Sequence, residues 1–339
     1  MGNNIKNADF DVTFLMPAFN VADFIEMSVE SIRNQTVPSW NLIIVDDGST
    51  DNTYSIARAL SLEDDRISVF KMQKGSGSAY LPRKAAINAA NTEFVAPLDA
   101  DDYISPDYLE KLISKQQLTG ADIVYPTMYH ARGNEVKLTT PTEASLFQNA
   151  RKGKDCVALT LDGWKINCNG GLIRRSLYMK VFPALEKFPV HTYSDEFLTR
   201  HLLLNTPLVA FSDAIYFYRV NEDSVTCKKT PKMFDYLKNN INLIDFALQN
   251  FGHDSEEYVL AQRQNFHGIF DTMRLLNQGG FDENAKKYAF SMMEKARAKA
   301  DRSVIKNNVS KKYLALLDCG LPVARLMTRW ADSLMRKRS

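Results

Sequence analysis

Between Asp11 and Pro126 five short apolar runs alternate with stretches of helical spacing, and that alternation restricts the possible folds more tightly than composition does. "DVTFLMP" (11–17), "WNLIIVDDG" (40–48), "ISVFKM" (67–72), "TEFVAPL" (92–98) and "DIVYP" (122–126) have the length and apolar content of buried strands. Between them, Phe24, Ile25, Val29 and Ile32 share one helical face. Ser49, Thr50 and Asp51 suit the start of a helix reaching about Leu62, and further helices are expected from Leu81 to Ala90 and from Pro106 to about Leu118. Strand and helix in turn imply right-handed crossovers. The expected fold is therefore α/β, a doubly wound, mainly parallel sheet with helices on both faces.

In such a sheet, ligands bind beyond the carboxyl ends of the strands. Asp46 and Asp47 close the second run, and Asp99 and Asp101 follow the fourth, so these carboxylates are expected at one edge. If the segment stays extended, Asp99 and Asp101 point the same way and can converge on one hard cation or one ribose. The competing reading is a solvated acidic turn before the helix that opens near Pro106. A further acid, Asp195, opens a helix anchored by Phe197, Leu198, Leu202 and Leu203.

Five segments in this order carry a resemblance: "TFLMPAFN" (13–20), "VDDGSTDNT" (45–53), "LDADDYISPDYL" (98–109), "YSDEFLTRHLL" (193–203) and "YFYRVNEDSVT" (216–226). Together they resemble the signatures of family 2 glycosyltransferases of the GT-A fold, over about residues 10 to 226. The resemblance implies an inverting enzyme that uses a nucleotide-sugar donor and a divalent metal, Mg or Mn. It implies that Pro17, Ala18, Phe19 and Asn20 line the nucleoside pocket and that Asp47 accepts a hydrogen bond from the base, typically uracil. Along Asp99, Ala100 and Asp101, it implies that Asp99 holds the ribose or a metal-bound water and that Asp101 ligates the metal. Asp195 takes the place of the catalytic base.

Each implied role has a physical reason. A departing diphosphate is multiply charged, so a bound cation stabilises charge that grows in the transition state. The attacking hydroxyl must lose its proton, and a carboxylate on the opposite face can take it. Two departures stand out. Ser194 occupies a position where the family commonly has Glu, which leaves Glu196 as the rival of Asp195. "LPRKAAIN" (81–88) replaces the usual Ala-Arg-Asn, so Arg83 is either a diphosphate contact or a surface helix cation.

The acceptor side is less defined. Trp164 in "LDGWKINCNGGLIRRS" (161–176) is a candidate platform for a sugar ring or a core side chain, and His191 is an acceptor-side or surface residue. Arg219, Ser224 and Thr226 either approach the diphosphate or serve structure. "KGSGSAY" (74–80) lacks the spacing of a nucleotide P-loop and is expected as a loop bordering the donor site. "YHARGNEVKL" (129–138) predicts a peripheral hairpin turning near Gly133 and Asn134.

With 339 residues, 45% of them apolar, the chain can form a full core and an appendage. A net charge of +2 and no basic and aromatic array argue against a nucleic-acid partner. Cys156, Cys168, Cys227 and Cys319 lack metal spacing and are read as reduced structural thiols, and the five histidines offer no close ligand pair. "MGNNIKNADF" has no apolar leader core, and no membrane-spanning run is visible, so a cytoplasmic enzyme is expected.

A catalytic domain over 1–226 and a helical region over 227–339 are expected, the latter with helices at 231–250, 255–278 and 282–300. That region is free to pack on the catalytic domain, to form a homo-oligomer or to bind a partner. In the tail, Val323, Leu326, Met327, Trp330 and Leu334 share a helical face beside Arg325, Arg329, Arg336, Lys337 and Arg338. Such a helix either docks on its own protein or lies peripherally on the inner face of the cell membrane.

The function expected is transfer of a sugar, most simply from a UDP-sugar, to a hydroxyl of a glycan or lipid-linked saccharide in cell-surface polysaccharide assembly. The alternatives are a sugar-nucleotide nucleotidyltransferase, whose Gly-rich pyrophosphate loop is not found in "LMPAFNVADF", and a catalytically silent nucleotide-sugar-binding or scaffold subunit.

Overall fold

A computed structural model describes residues 11–133, 135–138, 148–161, 163–166, 170–186, 193–220 and 229–308. His191, Ser224, Thr226, Cys168, Cys227, Cys319 and the whole basic tail lie outside the described residues.

The described residues divide near residue 220 into two compact units. The first begins with β1 (Val12–Ala18), α1 (Ile25–Arg33), β2 (Trp40–Asp46), α2 (Thr53–Glu63), β3 (Ile67–Lys71), α3 (Tyr80–Ala89) and β4 (Phe94–Pro97). Here the strands run in the order β3-β2-β1-β4, all parallel, as the alternation predicts. All seven residues of β1 are buried, which requires cover on both faces. On one face Phe14, Met16, Leu42 and Ile44 pack with Ile25, Val29 and Ile32 of α1 and Ala57 and Leu60 of α2. Fully burying each of the three α1 side chains contributes about 1.5–3 kcal/mol. Helix α3 packs against β1 and β2.

The second half is mixed rather than parallel. After β5 (Tyr103–Ile104) and α4 (Tyr108–Thr119) come β6 (Ile123–Arg132), β7 (Glu135–Leu138), a 3-10 helix (Lys154–Thr160), β8 (Leu172–Arg174), α5 (Arg175–Glu186), α6 (Ser194–Asn205) and β9 (Val209–Arg219). Three-residue β8 lies antiparallel between β4 and β6, while β9 runs parallel to β6 and antiparallel to β5. The expected strand ending at Pro126 in fact continues to Arg132. Proline cannot donate to the ladder, and the register shifts between Tyr125 and Thr127 as β9 bulges through Ser212, Asp213 and Ala214 opposite it. The hairpin predicted at Gly133 forms, with Arg132 facing Glu135 and β7 exposed throughout.

The second unit is helical. It comprises a 3-10 turn (Pro231–Phe234), α7 (Asp235–Phe251), α8 (Glu256–Gln278), α9 (Glu283–Ala298) and α10 (Arg302–Asn308), close to the ranges predicted. Ser255 and Asp282 cap α8 and α9, their side chains accepting from the Tyr258 and Ala285 amides at 3.1 and 2.7 Å. Phe234, Leu237, Phe266, Phe270 and Met293 lie in its core.

Candidate active site

The carboxyl ends of β1, β2 and β4 meet at one edge, where Ala18 pairs with Asp46 and Leu15 with Pro97. Pro17 and Ala18 are buried in the last turn of β1, whereas Phe19 follows with 48% of its surface exposed. Asn20 adopts a left-handed φ of 51°, a conformation asparagine tolerates better than most residues. Its amide donates to Ser49 Oγ at 2.9 Å, and its Oδ1 accepts from the Thr50 amide at 2.8 Å. Asp51 accepts from the Ala22 and Thr53 amides, which fixes the turn after β2 against the turn after β1. The capping acid is thus one residue earlier than Asn52, which occupies the N-cap and makes no side-chain cap bond.

Asp47 is 3% exposed. The Ser76 amide donates to both of its carboxylate oxygens at 2.9 Å, and the Ser76 hydroxyl lies 2.8 Å from Oδ2. Ser76 belongs to the 74–80 loop.

Asp99 to Asp102 do not continue β4 as an extended strand. The Asp102 amide donates back to the Asp99 carbonyl at 3.0 Å, closing a tight turn with Ala100 buried inside it. The alternation argument for Asp99 and Asp101 therefore fails, and the turn itself brings the two acids close. Arg83 Nη2 donates to Asp99 Oδ1 at 2.5 Å. Arg83 is buried, not a surface cation. Burial opposes its charge, but Asp99, Tyr178 and Asp195 more than compensate and hold its pKa above the usual arginine range.

Burial and the Asp99 charge push the Asp101 carboxyl up to about 6, against a weaker opposing effect of Arg219. Asp102, 1% exposed, is pushed well above the carboxylate range by burial and by Asp101 and Asp99. It accepts from the Tyr216 hydroxyl at 2.6 Å and from the Arg219 amide at 2.8 Å. Arg219 Nε donates to the Asp101 carbonyl at 2.9 Å, and its guanidinium lies over Phe24 and Tyr103 at 5.0 and 5.5 Å. Here Arg219 braces the acidic turn.

Asp195 and Glu196 occupy the first turn of α6, after Tyr193 in a left-handed conformation (φ 66°). The neighbours have different surroundings. Glu196 pairs with Arg200 at 3.2 Å. Arg200 is 2% exposed, donates to Thr160 Oγ1 and its carbonyl, and sits 4.8 Å over the ring of Trp164. Asp195 instead lines a small, partly open cavity with Arg83, Tyr125, Tyr178, Leu198 and Thr199. Its charge reaches Arg83 and Tyr178, whose hydroxyl is held at about 12, chiefly by burial. Burial raises the Tyr218 phenol above the ordinary tyrosine range, and Asp102, Asp101, Asp99 and Asp195 all add to the shift.

Asp102, Tyr216, Tyr218 and Ser76 were not singled out from the sequence. The doubled acid at Asp101-Asp102 and the aromatic run Tyr216-Phe217-Tyr218 were the available signals. Among the described residues no three His, Cys, Asp or Glu side chains converge as a self-sufficient metal cage. Asp101, with Asp99 beside it, fits the other common arrangement, in which one or two carboxylates hold a hard cation and substrate phosphates complete its shell.

Comparison with known proteins gives the same answer along three lines. Residues 13–182 match the model of glycosyl transferase family 2. Glycosyltransferase GlyA of Streptococcus pneumoniae is 24% identical over 83% of this chain, which spans only 43% of GlyA's length. The Escherichia coli UDP-Glc:alpha-D-GlcNAc-diphosphoundecaprenol beta-1,3-glucosyltransferase WfgD is 30% identical over 47% of this chain and 63% of its own. In fold, the chain resembles S. aureus TarS 1–349, solved in complex with UDP, with a TM-score of 0.69 at 17% identity, covering 97% of this chain and 92% of that one. With a matching family model over half its length and a GT-A fold around the acidic turn, the chain belongs to glycosyl transferase family 2.

Proposed function

We propose that the chain transfers a sugar, with inversion, from a UDP-sugar to a hydroxyl of a glycan or lipid-linked saccharide during cell-surface polysaccharide assembly. The observation that carries this reading is Arg83, which donates to Asp99 at 2.5 Å and lines one small cavity with Asp195, so that acids nearly 100 residues apart in sequence share a neighbour. WfgD, a UDP-glucose enzyme acting on a diphosphoundecaprenol-linked sugar, supports the donor and acceptor classes. Family membership decides against a nucleotidyltransferase.

In this reading Pro17 to Asn20 and Asp47 hold the nucleoside, and Asp101, with Asp99 beside it, would hold Mg2+ or Mn2+. When bound, the cation supplies positive charge to the departing diphosphate. Asp195 takes the acceptor proton as the new bond from the acceptor oxygen to C1 forms. The C1 to phosphate-oxygen bond breaks, its electron pair leaving with UDP, and displacement from the opposite face inverts C1. Glu196 is a weaker candidate for the base because it is tied to Arg200. Its role, with Arg200, is to fix Trp164 on the acceptor side. The basic tail would hold the enzyme at an anionic membrane surface, near a lipid-linked acceptor.

Transfer assays with a panel of UDP-, GDP- and dTDP-sugars test the donor. Asp195→Asn is expected to keep UDP affinity while losing at least about 100-fold in transfer rate, and Glu196→Gln to lose far less. Full turnover by Asp195→Asn would move the base elsewhere, and no turnover of any donor by the intact chain would favour a silent subunit.

A further inference from the structure

Asp47 is the residue proposed to read the donor base, yet its carboxylate is already covered. With the Ser76 amide shared between its two oxygens, the Ser76 hydroxyl at 2.8 Å from one of them and only 3% of the residue exposed, most of its accepting capacity is already taken. The contact has the chemistry of a base contact. An N–H directed at a carboxylate is what the imide of uracil offers, and Ser76 supplies the same group from within the chain.

Gln73, Lys74, Gly75 and Gly77 are exposed, and the loop meets the turn after β2 glycine to glycine. A Cβ added to Gly48 would fall 2.7 Å from the Gly75 nitrogen, and one added to Gly75 would fall 3.0 Å from the Asp47 carbonyl. The two backbones can therefore approach closely without interlocking side chains. The Ser76 hydroxyl also lies 2.8 Å from the Ser78 carbonyl, so its single proton has a second acceptor when it leaves Asp47. Phe19, half exposed, borders the same place: its ring lies 3.6 Å from where a Gly75 Cβ would stand.

We propose that Ser76 is an internal placeholder for the nucleobase on Asp47, and that the 74–79 loop is a strap which a uridine donor must displace. This rests on the assignment of Asp47 to the base. Part of the donor's gain at Asp47 then goes into releasing Ser76, so the strap lowers apparent affinity by the fraction of molecules in which it is closed. It also favours ligands whose base presents an N–H to the carboxylate over those that cannot repay the lost bonds.

Calorimetry of UDP with Mn2+ on the full chain tests the idea, using Ser76→Ala and the double variant Ser76→Ala/Asp47→Ala. Removing the competing hydroxyl is expected to tighten UDP binding by about three- to tenfold, whereas unchanged or weaker binding would overturn the strap. In the Ser76→Ala background, adding Asp47→Ala is expected to weaken UDP at least about tenfold. No change there would overturn the assignment of Asp47 to the base, which separates that failure from failure of the strap alone. Hydrogen exchange gives an independent sign. UDP is expected to speed exchange of the Ser76 amide as it leaves Asp47, and slower exchange on binding would contradict displacement.

Discussion

Asp101 illustrates how a single side chain acquires its chemistry from what surrounds it. Asp99 bonds to Arg83 and Asp102 to Tyr216 and the Arg219 amide, while the Asp101 carboxyl, buried beside the Asp99 charge, rises to about 6. Because folding favours its protonated form, the stability this contributes is complete below about pH 4 and is lost as pH rises through about 6. In the proposed reading a cation would have to displace that proton. Mn2+-dependent UDP binding is expected to weaken about tenfold per pH unit below 6, and Asp101→Asn to abolish the metal dependence while flattening the pH profile of thermal stability between pH 4 and 6. Titration calorimetry at pH 5, 6 and 7 reads the first effect and scanning fluorimetry the second; metal-linked binding that is flat over this range would remove Asp101 as the ligand. Asp99 and Asp101 were visible in the sequence because an acidic pair follows a strand. Asp102, Tyr216 and Ser76 were not, because each matters through a partner that only the fold brings near, more than 100 residues away for Asp102 and Tyr216.

Elements were legible in proportion to how locally they are determined. Strands β1 to β4 and helices α7 to α9 follow from periodicity and caps, and their bounds lie within a few residues of expectation. Strand β8 has three residues, too few for a pattern, and is a strand because β4 and β6 flank it. Strand β9 is interrupted by Ser212 and exposed Asp213, residues that suit a bulge but obscure alternation. The turn after β2 allows a direct test. Gly48 combines a φ of 74° with the close approach of Gly75, so Gly48→Ala is expected to cost about 1–3 kcal/mol, seen as a lower urea midpoint in far-UV circular dichroism. In the helical unit, Asp282→Ala removes the 2.7 Å cap of α9 and is expected to cost about 1 kcal/mol in the same measurement. A midpoint unchanged in either variant would show that the contact named contributes little.

For the whole molecule, family membership sets the reaction class, while sugar and acceptor depend on side chains that short motifs do not specify. Among the described residues no helix is long and apolar enough to cross a membrane. Contact with lipid would fall to the basic tail beyond residue 320, so a chain ending at Gly320 is expected to lose flotation with anionic liposomes that the full chain retains, and equal flotation would dismiss the tail as an anchor. The most far-reaching feature is the way the acidic turn is secured at its far end. Strand β5 pairs with β9 immediately after the acids, and Tyr216 and Arg219 of β9 reach back to Asp102 and Asp101. The turn and the distant strand of this chain are thereby tied to each other: a transplanted acidic turn is expected to work only if the strand travels with it, since otherwise a sequestered acid arrives in its new host with no hydroxyl to meet it.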